Sequence, residues 1–260
     1  MENNTESSTG LTSQKNSSPQ NNLGLPHYKS TIENSLGWRV WHGTNYLLGG
    51  LFFVLGSLAY FPAISAKING DLVGGILFTI GSTNFLIADL TEWNHYKLGC
   101  IGQSYSDSEK VEQGCCAKFR RVEVGLNFFC SAMGSLLYLL GSIFFIPSTN
   151  LLTSGELLFI IGSLVIFASQ LWKCIRTSIS DENDPNDRSI KCSNITADFP
   201  GFMIDVWAGI GGLIYAIGTY IFSLAETNAE IISSASWFVS GGSSFFISGL
   251  FMQYRYYCVK

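Results

Sequence analysis

Charge is what this sequence has least of. Only 13% of its 260 residues are Asp, Glu, Lys or Arg, roughly half the usual ~25%. A soluble domain needs more charge than that to keep its surface wet, so the shortage points to a membrane. The positive mean hydropathy, +0.26, agrees. A net charge of -4 leaves no basic footprint for nucleic acid. Cysteine occurs seven times, an odd number with no C-x-x-C pair, which argues against a disulfide framework. P-loop, G-x-S-x-G, H-E-x-x-H and dinucleotide fingerprints are missing, so no cofactor and no catalytic residue are expected. An enzyme would need His, Asp or Glu clustered at one face, and no such cluster is visible in the linear order. The amino-terminal stretch also lacks the basic and apolar regions of a cleavable signal peptide. Insertion is therefore expected to rest on the first apolar helix.

What is present is apolar and periodic. Residues 1–36 are rich in Asn and Ser and are expected to form a disordered tail, because they cannot bury enough surface to offset ordering entropy. Beyond it, six stretches near 46–64, 72–91, 126–146, 151–171, 203–224 and 231–251 approach the ~20 apolar residues that cross a bilayer. Short links pair them into hairpins at 37–96, 119–176 and 200–260, separated by polar connectors at 97–118 and 177–199. Pro62 and Pro147 are predicted to end the first helix of two hairpins. Of fifteen Lys and Arg residues, only Lys67 lies at a hairpin tip. The positive-inside rule then predicts that both termini are cytoplasmic, and Trp38, Trp41, Trp93, Trp172 and Trp207 mark an aromatic belt at that face.

Steps of seven connect small residues in every helix: Gly49, Gly56 and Ala63; Gly74, Gly81 and Ala88; Gly134, Gly141 and Ser148. The series continues with Gly155, Gly162 and Ser169; Gly211, Gly218 and Ala225; Ser234, Gly241 and Ser248. Seven residues are close to two helical turns, so each set is one stripe. Small residues let helix backbones approach closely in lipid, where hiding Leu gains little. Gly56, Gly81, Gly141, Gly162, Gly218 and Gly241 are thus predicted packing seams. One position further on stand Ser57, Ser82, Ser142, Ser163 and Thr219, with Gly242 as the exception. These hydroxyls are expected to bond across helices or back to their own helix.

The hairpins form a threefold internal repeat, in which VLGSLAYF, LLGSIFFI and AIGTYIFS correspond, as do LFTIGSTNF, LFIIGSLVI and WFVSGGSSF. Parallel repeats are related by an axis along the membrane normal. The expected fold is an all-α membrane protein of six transmembrane helices, three tandem hairpins in a pseudo-threefold bundle. A basic-aromatic lead-in, Gly-Ser-aromatic at the end of one helix, a short loop and then LFxIGS resemble the YrhK-like domain. Residues 37–93, GWRVWHGTNYLLGGLFFVLGSLAYFP through GGILFTIGSTNFLIADLTEW, carry the resemblance most fully, followed by 119–176 and 200–257. The resemblance implies a small membrane protein and brings no catalytic residue.

Ionisable groups near the bilayer are costly and are candidates for function. Asp89 lies one heptad beyond Ser82, and its repeat equivalents are Gln170 and Gly249. Asp89, Gln170, Ser57, Ser82, Ser142 and Ser163 are the candidate intramembrane polar site. Asp89 either faces other helices or reaches headgroup water from the last turn before Trp93. Glu92, Glu123 and Asp205 fall nearer the interface. His42 and His95 share the expected cytoplasmic side with Cys100, Cys115 and Cys116, but without metal-ligand spacing. Cys115 and Cys116 precede a basic segment, a setting where palmitoylation occurs. The sequence reading is a non-enzymatic polytopic membrane protein whose partner is the lipid bilayer, with self-association as a homo-oligomer left open. The alternative is a small-solute or ion transporter with a hydroxyl-lined path to Asp89.

Overall fold

The computed structural model describes residues 35–96, 115–179 and 189–259, with side chains from 94–96 and 115–124 excepted. The tail and the central parts of both connectors lie outside the described residues. Among the described residues there is no strand. Helix α1 spans Leu36–Ala59, α2 Pro62–Ile68, α3 Gly70–Tyr96 and α4 Cys115–Phe144. After a 3-10 turn at Pro147–Thr149 come α5 Leu152–Ile179, α6 Cys192–Ala197, α7 Phe199–Ser223 and α8 Asn228–Tyr257. Four helices, α3, α4, α5 and α7, are long and apolar enough to cross a membrane, and α1 joins them when counted together with α2. Helix α8 has the length, but Ser233, Ser234, Ser236, Ser240, Ser243, Ser244 and Ser248 dilute its apolar character.

The two prolines act alike. Phe61 and Ile146 are extended, with φ/ψ of -64/128 and -70/123, as a residue before Pro prefers. Pro62 and Pro147 then start a new short helical segment, where a missing N–H costs nothing. Each segment stops at an asparagine in the left-handed region, Asn69 at φ 57 and Asn150 at φ 55, a common C-terminal stop. The first apolar segment therefore does not run on to residue 64. Helix α1 ends at Ala59 and the chain turns 92° into α2. The third hairpin has no proline at its tip. There the Thr227 hydroxyl accepts from Glu230 N–H while the Glu230 carboxylate accepts from Thr227 N–H, a capping box that starts α8.

The long helices form a closed ring. Each packs on the next in the order α1, α3, α4, α5, α7, α8, and α8 returns to α1. Within hairpins the partners are antiparallel: Gly49 meets Phe85 and Gly56 meets Phe78, so one index rises as the other falls. The seams are reciprocal. Three residues before each central glycine stands an aromatic, Phe53, Phe78, Tyr138, Phe159, Tyr215 or Phe238, and all six are buried. The ring of Phe78 fills the space beside Gly56, and that of Phe53 the space beside Gly81. Phe159 and Tyr138 do the same for Gly141 and Gly162, as do Phe238 and Tyr215 for Gly218 and Gly241. These rings meet on the bundle axis, where Phe53 touches Phe78, Tyr138, Phe159 and Tyr215 at centroid distances of 5.3, 5.5, 6.1 and 5.2 Å, in the favourable range.

Of the eighteen small heptad positions, fifteen are buried. Ala63 and Ser148 are exposed and Ala225 is half-buried. All three lie past the end of their helix, so the seven-residue step no longer predicts their direction.

Candidate functional site

The second stripe faces between hairpins. Gly75, Gly212 and Gly242 abut Ile146, the Ser163 carbonyl and the Val54 backbone of the neighbouring hairpin. Ser57, Ser82, Ser142, Ser163 and Thr219 are fully buried. Ser82 and Ser142 join α3 to α4 at 3.0 Å, and Ser142 also donates to the Tyr138 carbonyl of its own helix at 2.6 Å. Ser57 shares a bond of 2.8 Å with the Tyr215 hydroxyl and donates to the Phe53 carbonyl at 2.6 Å, while Ser163 pairs with the Tyr138 hydroxyl at 2.8 Å. Ser82 and Ser142 thus share one seam, Ser57 and Ser163 bond tyrosine hydroxyls in two others, and none of the four lines the cavity that Asp89 borders.

Asp89 sits instead at the end of the bundle where α1 starts and α8 ends. Its Oδ2 accepts from Ser135 Oγ of α4 at 2.5 Å, so it faces a neighbouring helix. It also borders a cavity of about 30 Å³. Helix α1 contributes His42 and Tyr46 to this cavity, α3 Asp89 and Glu92, and α5 Gln170 and Lys173. Asp205 of α7 and Arg255 with Tyr256 of α8 complete the polar wall. Asp89 and Gln170, equivalent in the repeat, therefore share one cavity. Gly249, the third equivalent, is used differently and rests on Leu47 of α1.

Most of the charges are partnered. Lys173 is 6% exposed, lies 3.9 Å from Glu92 and stands 5.1 Å above the Phe128 ring. Arg255 makes a two-pronged ion pair with Asp198, whose carboxylate also caps the start of α7 through Gly201 N–H at 3.2 Å. His42 Nδ1 is 2.7 Å from the Tyr256 hydroxyl and its ring stacks on Trp38 with centroids 4.8 Å apart. Outside the membrane-spanning stretches, at the opposite end, the Glu230 carboxyl is held below its ordinary range by the N–H groups of Glu226 and Thr227.

The expectation that His, Asp and Glu do not gather at one face is corrected here: folding brings His42, Asp89, Glu92 and Asp205 to one cavity. Their sequence separation hid this. Among the described residues, no three His, Cys, Asp or Glu side chains are placed to hold a metal ion. His95, Cys100, Cys115, Cys116 and Glu123 fall outside the residues whose side chains are described. Lys173 and Tyr46 were not singled out from the sequence. A signal for Lys173 existed: Asp89-x-x-Glu92 and Gln170-x-x-Lys173 occupy the same repeat positions.

The fold is that of an all-helical protein compatible with an integral membrane protein, by the length and composition of four or five helices. No family model, curated protein or solved structure matches the chain.

Proposed function

We propose that this chain is a non-enzymatic, polytopic integral membrane protein of YrhK-like type, crossing the bilayer six times as three tandem hairpins. The hairpins are related by a pseudo-threefold axis along the membrane normal, and both termini are cytoplasmic. The observation that carries the reading is the reciprocal aromatic–glycine seam, which recurs at equivalent positions in all three hairpins.

Spanning by α8 gains support from how its serines are satisfied. Ser236, Ser240 and Ser244 donate to carbonyls one turn back in their own helix. Ser234 donates to the Gly218 carbonyl and Ser248 to that of Ile204, both on α7. Internally satisfied hydroxyls reduce the cost of entering lipid. A hydroxyl-lined solute path draws less support, because the serines are bonded in pairs to one another or to tyrosine hydroxyls and aromatic rings occupy the axis.

Accessibility of inserted tags tests the topology. A carboxy-terminal tag is expected on the cytoplasmic side, and a tag between Ile64 and Gly70 on the other. Both tags on one side would sink the hairpin arrangement.

A further inference from the structure

We propose that α2 is an in-plane interfacial helix that seats Ile64 and Ile68 in the boundary between lipid headgroups and acyl chains, at the hairpin-tip end of the bundle. The inference rests on the reading of α1 and α3 as membrane spans, and it adds a site of lipid contact that no span requires. Helix α1 has 24 residues and rises ~36 Å, already more than the ~30 Å of hydrocarbon. Yet α1 is apolar enough to cross only when α2 is counted with it. The chain turns 92° between the two helices. Helix α2 therefore cannot extend the crossing and runs across it instead. Its apolar side chains then lie near one depth, at the end of the α1 span.

The side chains of α2 are sorted by direction. Pro62 and Ser65 are half-buried, and Ser65 packs beside Gly70 at the start of α3, which fixes the inner side. Ile64 and Ile68 are about one turn apart and share a flank. They are 38% and 44% exposed. Ala66, two residues from each, falls on the opposite flank, where its small side chain offers water little apolar area. Lys67 is exposed in the last turn, next to Ile68. A lysine so placed can lay its stem along the apolar flank and raise its ammonium to the headgroups. The neighbouring surface is apolar as well: Leu72, Ile76 and Ile80 are exposed on α3, the helix on which α2 packs. An apolar flank with a cationic fringe is the composition of a helix that lies in the interface, sunk ~5–10 Å into it.

The test uses the full-length protein in phosphatidylcholine vesicles, with an environment-sensitive fluorescent amino acid in place of Ile64, Ala66, Ile68 or, as a reference within a span, Ile80. All four side chains are exposed, so the replacements spare the packed core. Quenching is measured with lipids brominated either near the headgroup or near the chain end. Emission from positions 64 and 68 should be lost chiefly to bromine near the headgroup, and emission from position 80 chiefly to bromine near the chain end. Position 66 should be little affected by either. Quenching at position 80 with none at 64 and 68 would overturn the proposal and leave the spans standing. Equal quenching at 64, 66 and 68, or a depth profile at 64 and 68 that matches position 80, would overturn it too. No quenching at position 80 would remove the span itself, and the interfacial helix with it.

Discussion

Phe53 occupies the space that a side chain at Gly81 would need: a Cβ there would lie 2.5 Å from the Phe53 ring. The converse contact, Phe78 against Gly56, leaves 2.7 Å. Neither ring can retreat, because both are buried among the other aromatics of the axis.

Gly81→Leu should therefore force α1 and α3 apart. Overfilling a closely packed core typically costs ~1–3 kcal/mol, and four added carbons place this change at or above the upper end. Gly141→Leu should behave alike, because a Cβ there would lie 3.0 Å from the Gly155 carbonyl. Ile76→Leu, on an exposed position of α3, is the control and should leave the thermal midpoint in detergent unchanged. Equal midpoints for all three variants would mean that the stripe is not an interface.

The glycine seams were legible because small residues recur every seven positions in a background of large ones. The aromatics three residues before each central glycine were equally regular, yet they merged into apolar runs. Only the pairing of antiparallel helices shows that they are the knobs for those glycines. The prolines at 62 and 147 were read as stops. Their second role, starting a turn that ends at Asn69 or Asn150, needs the backbone angles. The cavity was least legible. Its wall draws His42, Asp89, Gln170 and Asp205 from four helices, and no local spacing connects groups that ring closure brings together.

The Ser82–Ser142 contact gives a small, sharply defined expectation. It joins two hairpins at 3.0 Å, but the Ser142 hydroxyl also has the Tyr138 carbonyl as a competing acceptor at 2.6 Å. Interhelical bonds in membranes average ~0.6 kcal/mol. Ser82→Ala and Ser142→Ala should each cost about that much, and the double variant should show a coupling of similar size. The measurement is a double-mutant cycle of unfolding in mixed micelles. Coupling indistinguishable from zero would show that the two serines only fill space.

The capping box predicts a pH response at the third tip. Glu230 titrates below its ordinary value of 4.5 because its charged form accepts the N–H groups of Glu226 and Thr227. A depressed native value means that the charged form favours folding. This contribution is fully present above the ordinary value and disappears as pH falls through the depressed one. Wild type should lose stability relative to Glu230→Gln as pH drops from 6 to about 3, and the two should run parallel above pH 6. The check is the difference between their thermal midpoints across that range. A constant difference would remove the carboxylate from any role in the cap.

Asp198 separates two contributions that share one side chain. Its carboxylate accepts from Gly201 N–H at the start of α7 and grips Arg255 near the end of α8. The side chains of Arg255 and Asp198 are 8% and 15% exposed, so removing one partner leaves a largely buried charge, which typically costs ~3–5 kcal/mol. Asp198→Asn keeps an oxygen for the cap but loses the ion pair. Asp198→Ala loses both, and a lost cap adds ~1 kcal/mol. Arg255→Met removes the cation, retains apolar volume and spares the cap. The expected order of unfolding free energies is therefore wild type first, then Asp198→Asn, with Asp198→Ala lowest. Combining Arg255→Met with Asp198→Asn should recover much of the loss, because neither charge is then stranded. Equilibrium unfolding in detergent gives that order directly. A double variant as damaged as the sum of its parts would mean that the two residues act independently, despite the ion pair between them.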